Sequence, residues 1–218
     1  MKILLISASP RKEESQTFLL ANEVLKGCSE KARQTEIIHL RDYRIEFCRH
    51  CEECHREVMN CSIKDDVDMI LKKILEADGI ILASPNYINQ VTASMKALFD
   101  RSSHFIHCRR LLGKYVAGAV SSGSGQDKDV LDYIRYYALI CAAQYSGGVS
   151  CRAPVSDEKI EEARQLGKKL SSDIKEKKQY RNQLKIIEGN KEHFGKIIKM
   201  RKDSWAEEYQ YWVAQGWL

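Results

Sequence analysis

Two rhythms of apolar residues alternate along this chain of 218 residues. Short, nearly unbroken apolar runs fall at Lys2–Ser7, Thr35–Leu40, Gly79–Ala83, Tyr115–Val120 and, more weakly, Gln144–Val149. Runs of this length suit strands buried on both faces of a parallel sheet. Between them lie longer stretches with apolar residues three to four apart, the period of a helix with one buried face. They predict helices over Thr17 to about Lys31, from a cap at Asp65-Asp66 to about Ala77, over Ala93 to about Phe105, Asp129 to Ala143 and Asp157–Lys178. In the second of these, Val67, Ile70, Leu71, Ile74 and Leu75 form the inward stripe. The alternation predicts an α/β fold, a doubly wound parallel sheet of five strands with helices on both faces and right-handed connections.

Ligands on such sheets bind beyond the carboxyl ends of the strands, where the strand order switches. Three segments rich in small and polar residues fall there: Ser7–Thr17, Ser84–Thr92 and Ser121–Gln126. Beyond Glu188 the pattern changes. Gly189 and Asn190 punctuate it, Lys191–Met200 is a short basic amphipathic stretch, and Ser204 can cap a last helix. All three tryptophans, Trp205, Trp212 and Trp217, stand in the last 14 residues. Packing on the chain's own core is the first expectation for this aromatic end; covering a partner or stacking near a cofactor are the others.

Charged residues are 30% and hydrophobic residues 44% of the chain, the balance of a soluble globular protein. No stretch approaches the roughly 18 to 20 apolar residues of a membrane span. The apolar start, Met1–Ser7, is too short for a signal peptide, so the expected compartment is cytoplasmic. The net charge of +5 sits between Asp157 and Asp203, where 14 basic residues face 9 acidic ones. Because the signs are interleaved, this reads as a solvated helical face rather than a nucleic-acid surface. Neither a nucleic acid nor a membrane is expected as partner.

The loop Ser9-Pro10-Arg11-Lys12-Glu13-Glu14-Ser15-Gln16-Thr17 joins the first strand to the first helix. The helix start offers unpaired backbone N–H groups and a partial positive charge, while Ser9, Ser15, Thr17 and Arg11 add donors. These are the parts of a phosphate cradle. Simple helix capping by Ser15 and Thr17 is the other reading. There is no Walker lysine pattern and no GxGxxG.

Four of the eight cysteines, Cys48, Cys51, Cys54 and Cys61, form a run with gaps of two, two and six residues. Four closely spaced thiolates are the usual ligands of a [4Fe–4S] cluster, and short gaps set successive sulfurs on neighbouring irons. Zinc also takes four thiolates, though usually from two CxxC knuckles across a longer loop; a loop without metal is the third reading. His50 and His55 lie inside the run, with orienting or surface roles expected, and Arg49 and Arg56 are placed to offset cluster charge. Cys28, Cys108, Cys141 and Cys151 are scattered and read as small buried hydrophobes.

The loop SASPRKEESQT resembles the first loop of the flavodoxin-like NADPH-dependent FMN reductases, with Ala8 where that family often has Gly. Ala83-Ser84-Pro85-Asn86-Tyr87 and the following Lys96–Arg101 resemble its second flavin loop and next helix. The cysteine spacing resembles the compact motif of the iron–sulfur flavoproteins, a branch of the same fold. The resemblance implies that Ser9, Arg11, Ser15, Gln16 and Thr17 hold the FMN phosphate. It implies that Pro85, Asn86, Tyr87 and Ile88 line the isoalloxazine and that Ser122, Gly123 and Ser124 close the third side. Residues 1–180 are then a flavodoxin-like FMN-binding domain with a cysteine-rich insertion at 42–63, and 181–218 a C-terminal helical extension.

The implied function is electron transfer between a [4Fe–4S] cluster and FMN, in a homo-oligomer (a dimer or a dimer of dimers) served by a redox carrier such as ferredoxin or by NAD(P)H. The alternative is an NAD(P)H-dependent FMN or quinone reductase without a cluster. With the chemistry carried by cofactors, no catalytic acid–base triad is expected.

Overall fold

In the computed structural model, which describes residues 1–29 and 32–218, five strands form one parallel sheet. They are β1 (Lys2–Ser7), β2 (Gln34–His39), β3 (Gly79–Pro85), β4 (Tyr115–Ser122) and β5 (Gln144–Arg152), in the order β2-β1-β3-β4-β5. That order is the flavodoxin-like one, with its switch point between β1 and β3. Side chains alternate across each strand, so one run of apolar residues supplies two cores. Leu4, Ile6, Ile80, Leu82, Val116 and Val120 face one way; Ile3, Leu5, Ile81, Ala83, Ala117 and Ala119 face the other.

The second face is covered by α1 (Gln16–Ser29) and α7 (Asp157–Glu176). The expected end of the first helix near Lys31 lies outside the described residues. These two helices cross with backbones almost touching. A Cβ on Gly27 would stand 2.2 Å from the Arg164 carbonyl oxygen, and one on Gly167 2.0 Å from that of Val24. The first face is covered by α3 (Val67–Glu76), α4 (Ala93–Asp100), α5 (Ser103–His107) and α6 (Lys128–Ile140), with the four-residue α2 (Glu53–Arg56) inside the cysteine segment.

Three local expectations are corrected. The helix expected over Ala93–Phe105 breaks between α4 and α5. There the Ser102 hydroxyl bonds the Phe99 carbonyl at 2.8 Å and the Tyr137 hydroxyl at 2.8 Å, an alternative to continued helix. Gly189 and Asn190 do not punctuate: α8 runs unbroken over Arg181–Met200. Burial of Ile187, Phe194 and Ile198 outweighs the roughly 1 kcal/mol that an interior glycine costs a helix. Ser204 is not the last cap. Its hydroxyl donates to the Arg201 carbonyl, and α9 (Ala206–Ala214) starts after Trp205.

The four scattered cysteines are buried. Cys28, Cys108 and Cys141 line the cores, and burial raises all their thiol pKa values. The aromatic end packs on the chain itself: Trp205 and Trp212 are buried with Phe194 and Ile198. No helix among the described residues is long and apolar enough to cross a membrane.

Candidate functional site

The three polar loops emerge at the carboxyl ends of β1, β3 and β4, which lie side by side. After β1 the chain makes a 3-10 turn over Lys12–Glu14 and enters α1 through Ser15. The Ser15 hydroxyl accepts the backbone N–H groups of Thr17 at 3.1 Å and Phe18 at 3.4 Å, so it caps the helix. Ser9, Ser15 and Thr17 are buried, Gln16 is half-buried and Arg11 is exposed. The Gln16 side chain accepts the Val155 N–H at 2.8 Å, tying this loop to the chain beyond β5. Thr17 and Ser121 share a hydroxyl hydrogen bond of 2.6 Å, joining the first loop to the third.

After Pro85, the Asn86 N–H donates to the Ser121 carbonyl at 2.9 Å. Tyr87 and Gln90 then close a tight turn through paired backbone bonds of 3.0 and 3.2 Å. At its tip Ile88 has φ +54° and is fully exposed, a strained conformation for a β-branched residue. Tyr87 is half-exposed beside it. The third loop is set by Ser122, whose hydroxyl accepts the Gly125 N–H at 2.8 Å, while Gly123 and Ser124 are exposed. Arg152 Nε donates to the Gly123 carbonyl at 3.1 Å. The twelve residues expected to hold FMN thus share one sheet edge. Ser7 Oγ, Asn86 Oδ1 and Asp127 Oδ1, all near that edge in the topology, are buried without a hydrogen-bond partner. Such atoms cost free energy until a polar ligand or water bonds them, so this edge fits a polar cofactor.

The cysteine segment is built differently. His50, Glu52 and Met59 all adopt positive φ, 52°, 61° and 67°, so the chain folds back on itself within ten residues. Each such residue costs on the order of 1–2 kcal/mol and persists only where its surroundings impose it. The result is one cavity of about 680 Å³ lined by all four cysteines. Every thiol has a polar neighbour. Cys48 accepts the His50 N–H at 3.4 Å, Cys51 pairs with the Ser62 hydroxyl at 3.3 Å, Cys54 with the Ser103 hydroxyl at 3.8 Å, and Cys61 accepts from Arg101 Nη2 at 3.3 Å. Burial pushes the Cys54 thiol up to about 11, with Cys61, Glu208 and Cys48 adding in the same direction. The Ser62 hydroxyl, followed by a backbone N–H, lowers Cys51. Four unpaired thiols around one cavity, each with a polar contact, are a donor set that fits a thiolate-bound metal cluster.

Arg101, at the end of α4, anchors this segment. It grips Asp65 with two bonds of 2.7 and 3.0 Å and donates to the Glu46 carbonyl at 2.9 Å. The Arg101 and Asp65 side chains are both buried. Burial opposes the Arg101 charge, but Asp65 and Cys61 outweigh it and raise its pKa. Burial opposes the Asp65 charge too, but Arg101 and the N–H groups of Glu46 and Val67 hold its carboxyl below the ordinary range. Arg49 lines the cavity, whereas Arg56 turns to Glu53 at 3.5 Å and is not part of the lining.

The far wall comes from Ile197, Met200, Arg201 and Trp205. Trp205 Nε1 donates to Glu52 at 3.2 Å, and Glu207 accepts the Val58 N–H. Glu208, wholly buried, bonds His55 Nδ1 at 2.7 Å and His107 Nδ1 at 3.1 Å. Burial opposes the Glu208 charge, yet the two imidazoles hold its pKa below the ordinary value. Arg101, Asp65, His107 and Glu208 were not legible as site residues. For Trp205 the one signal was its place in the aromatic end, for which stacking near a cofactor was among the expectations.

Residues 1–150 match the family described as NADPH-dependent FMN reductase. An iron-sulfur flavoprotein of Methanocaldococcus jannaschii is 38% identical over 191 residues, covering 80% of this chain and 98% of that one. An iron-sulfur flavoprotein of Archaeoglobus fulgidus is 28% identical over 223 residues, covering both chains completely. Among solved structures, a flavone reductase superposes with a TM-score of 0.67 at 22% identity, over 83% of this chain and 66% of that one, a likeness of fold alone. The chain therefore belongs to the iron–sulfur flavoprotein family, within the flavodoxin-like NADPH-dependent FMN reductases, and is a flavin-dependent oxidoreductase.

Proposed function

We propose that this protein passes electrons between a [4Fe–4S] cluster held by Cys48, Cys51, Cys54 and Cys61 and FMN held at the carboxyl edge of β1, β3 and β4. The observation that carries this reading is the single cavity lined by all four cysteines, each with a polar neighbour. FMN exchanges electrons singly or in pairs and the cluster exchanges them singly, so together they match a two-electron donor to a one-electron acceptor. The chain's own residues bind, orient and shield. Ser9, Arg11, Ser15, Gln16 and Thr17 take the phosphate at the start of α1, where backbone N–H groups and the helix dipole favour an anion. Pro85, Asn86, Tyr87 and Ile88 form the flavin's side wall, and Ser122, Gly123 and Ser124 close the third side. Arg101 donates to Cys61 and offsets anionic charge in the cavity.

Residues 1–180 act as the FMN-binding domain with its cysteine insertion at 42–63, and 181–218 as a helical extension. The protein works as a homo-oligomer in the reducing cytoplasm, with ferredoxin or NAD(P)H as redox partner. Protein purified without oxygen should show flavin bands with a broad cluster shoulder and about four irons and four sulfides per chain. Flavin bands with no iron after anaerobic reconstitution overturn the cluster reading. They leave an NAD(P)H-dependent FMN or quinone reductase, which the match of residues 1–150 to NADPH-dependent FMN reductases favours as the second reading. Bleaching by reduced ferredoxin but not by NADPH supports the first reading; rapid bleaching by NADPH supports the second.

A further inference from the structure

We infer that Glu208 is a positioning residue for the cysteine site: its buried carboxylate clamps His55 of the cysteine segment to His107 of α5 and thereby fixes Cys54 in the cavity. This inference rests on the cluster reading above. A carboxylate with no exposed surface, bonded through both oxygens to imidazoles from two distant parts of the chain, is a costly arrangement. A buried pair of this kind is weak evidence for stability, and fixing one arrangement of the chain is its best-attested use.

The geometry runs in one line. Trp212 Nε1 donates to the His107 carbonyl at 2.9 Å, which seats α9 on α5. Trp205 packs over both imidazoles, 4.6 Å from each ring centre. Glu208 then reaches His55, the residue directly after Cys54 on the four-residue α2. A helix that short has little stability of its own. The His55 tie therefore sets the orientation of the Cys54 thiol. The three groups are close enough to share an ion, within 4.8 Å of one another, but each carboxylate oxygen already bonds an imidazole nitrogen and Trp205 closes one side. They act as a hydrogen-bonded clamp.

The test compares full-length wild type, Glu208→Ala and Glu208→Gln, each loaded anaerobically with iron and sulfide. The readouts are iron per FMN, the rate of iron loss to a chelator, the electron paramagnetic resonance spectrum after reduction, and the cluster's midpoint potential. Glu208→Ala is expected to lose iron about 10- to 100-fold faster, the usual scale for losing the partner that orients a metal ligand, with FMN content unchanged. Glu208→Gln keeps the clamp, because its amide accepts from one imidazole and donates to the other. It is expected to hold iron like wild type while its potential rises with the loss of a nearby negative charge.

Iron loss at the wild-type rate in Glu208→Ala, with wild-type spectrum and potential in both variants, overturns the inference alone. If Glu208→Ala also sheds FMN, Glu208→Gln decides: iron held as in wild type, with the amide rebuilding the clamp, supports the inference, and iron lost as fast as in Glu208→Ala overturns it. Wild-type protein that takes up no iron overturns the cluster reading, and this inference with it.

Discussion

The two candidate sites are held by opposite means. The flavin edge is an outgrowth of the sheet. Its loops leave adjacent strands, and much of their shape comes from short-range bonds such as Ser15 to Thr17, Tyr87 to Gln90 and Ser122 to Gly125. The cysteine segment has little regular structure of its own. Arg101 and Asp65 hold it from one side and Trp205, Glu207 and Glu208 from the other. A site built on strand ends fails with the fold, whereas a site tied by side chains can fail alone. The cysteine site should therefore be separable from the strand-end site by single substitutions.

The largest test of that contrast is Arg101→Leu. It strands Asp65 as a buried unpaired carboxylate, at a cost of about 3–5 kcal/mol. The expected result is protein that retains FMN, binds no iron and is cut by protease between residues 42 and 63. Loss of FMN in parallel breaks the comparison. Next comes Gly167→Ala, which forces a methyl against the Val24 carbonyl and should cost about 1–3 kcal/mol in urea unfolding. Because the α1–α7 crossing touches neither site, iron and FMN per folded chain should not change.

Ser15→Ala removes the α1 cap, lowering stability by about 1 kcal/mol and weakening FMN retention in equilibrium dialysis while iron content holds. The smallest effect is expected from Ile88→Asn. Asparagine tolerates positive φ, so the variant should gain a few tenths to about 1 kcal/mol in thermal melts. If Ile88 lines the isoalloxazine, FMN affinity falls at the same time.

The sheet was legible because β1, β3 and β4 carry unbroken apolar runs that only a strand covered on both faces can bury. The polar loops were legible because Ser, Gly, Asn and Pro cluster where such strands end. The cysteine spacing was legible as a group, and the four thiols do line one cavity. What escaped was everything that acts at long range. Arg101 read as part of the helix expected over Ala93 to about Phe105, and Asp65 with Asp66 as a helix cap; Asp65 does accept the Val67 N–H at the start of α3, while Asp66, at the cap position, makes no such bond. Glu208 lies 153 residues beyond His55, and no local pattern distinguishes its carboxylate from one on a solvated face. Gly189 and Asn190 misled for a related reason, since local propensity yields to the apolar face of Ile187, Phe194 and Ile198.

The pairing of Glu52 with Trp205 spans 153 residues and has a consequence in time. A ribosome adds about 5–20 residues per second, so on the order of 10 s separates the emergence of the cysteines from that of the wall that faces them. Throughout that interval the four thiols lack the wall that faces them in the finished protein. Completion of the chain adds that wall yet leaves Cys48 and Cys51 exposed, so the last helices decide when the cavity takes shape and not whether these two thiols can be reached.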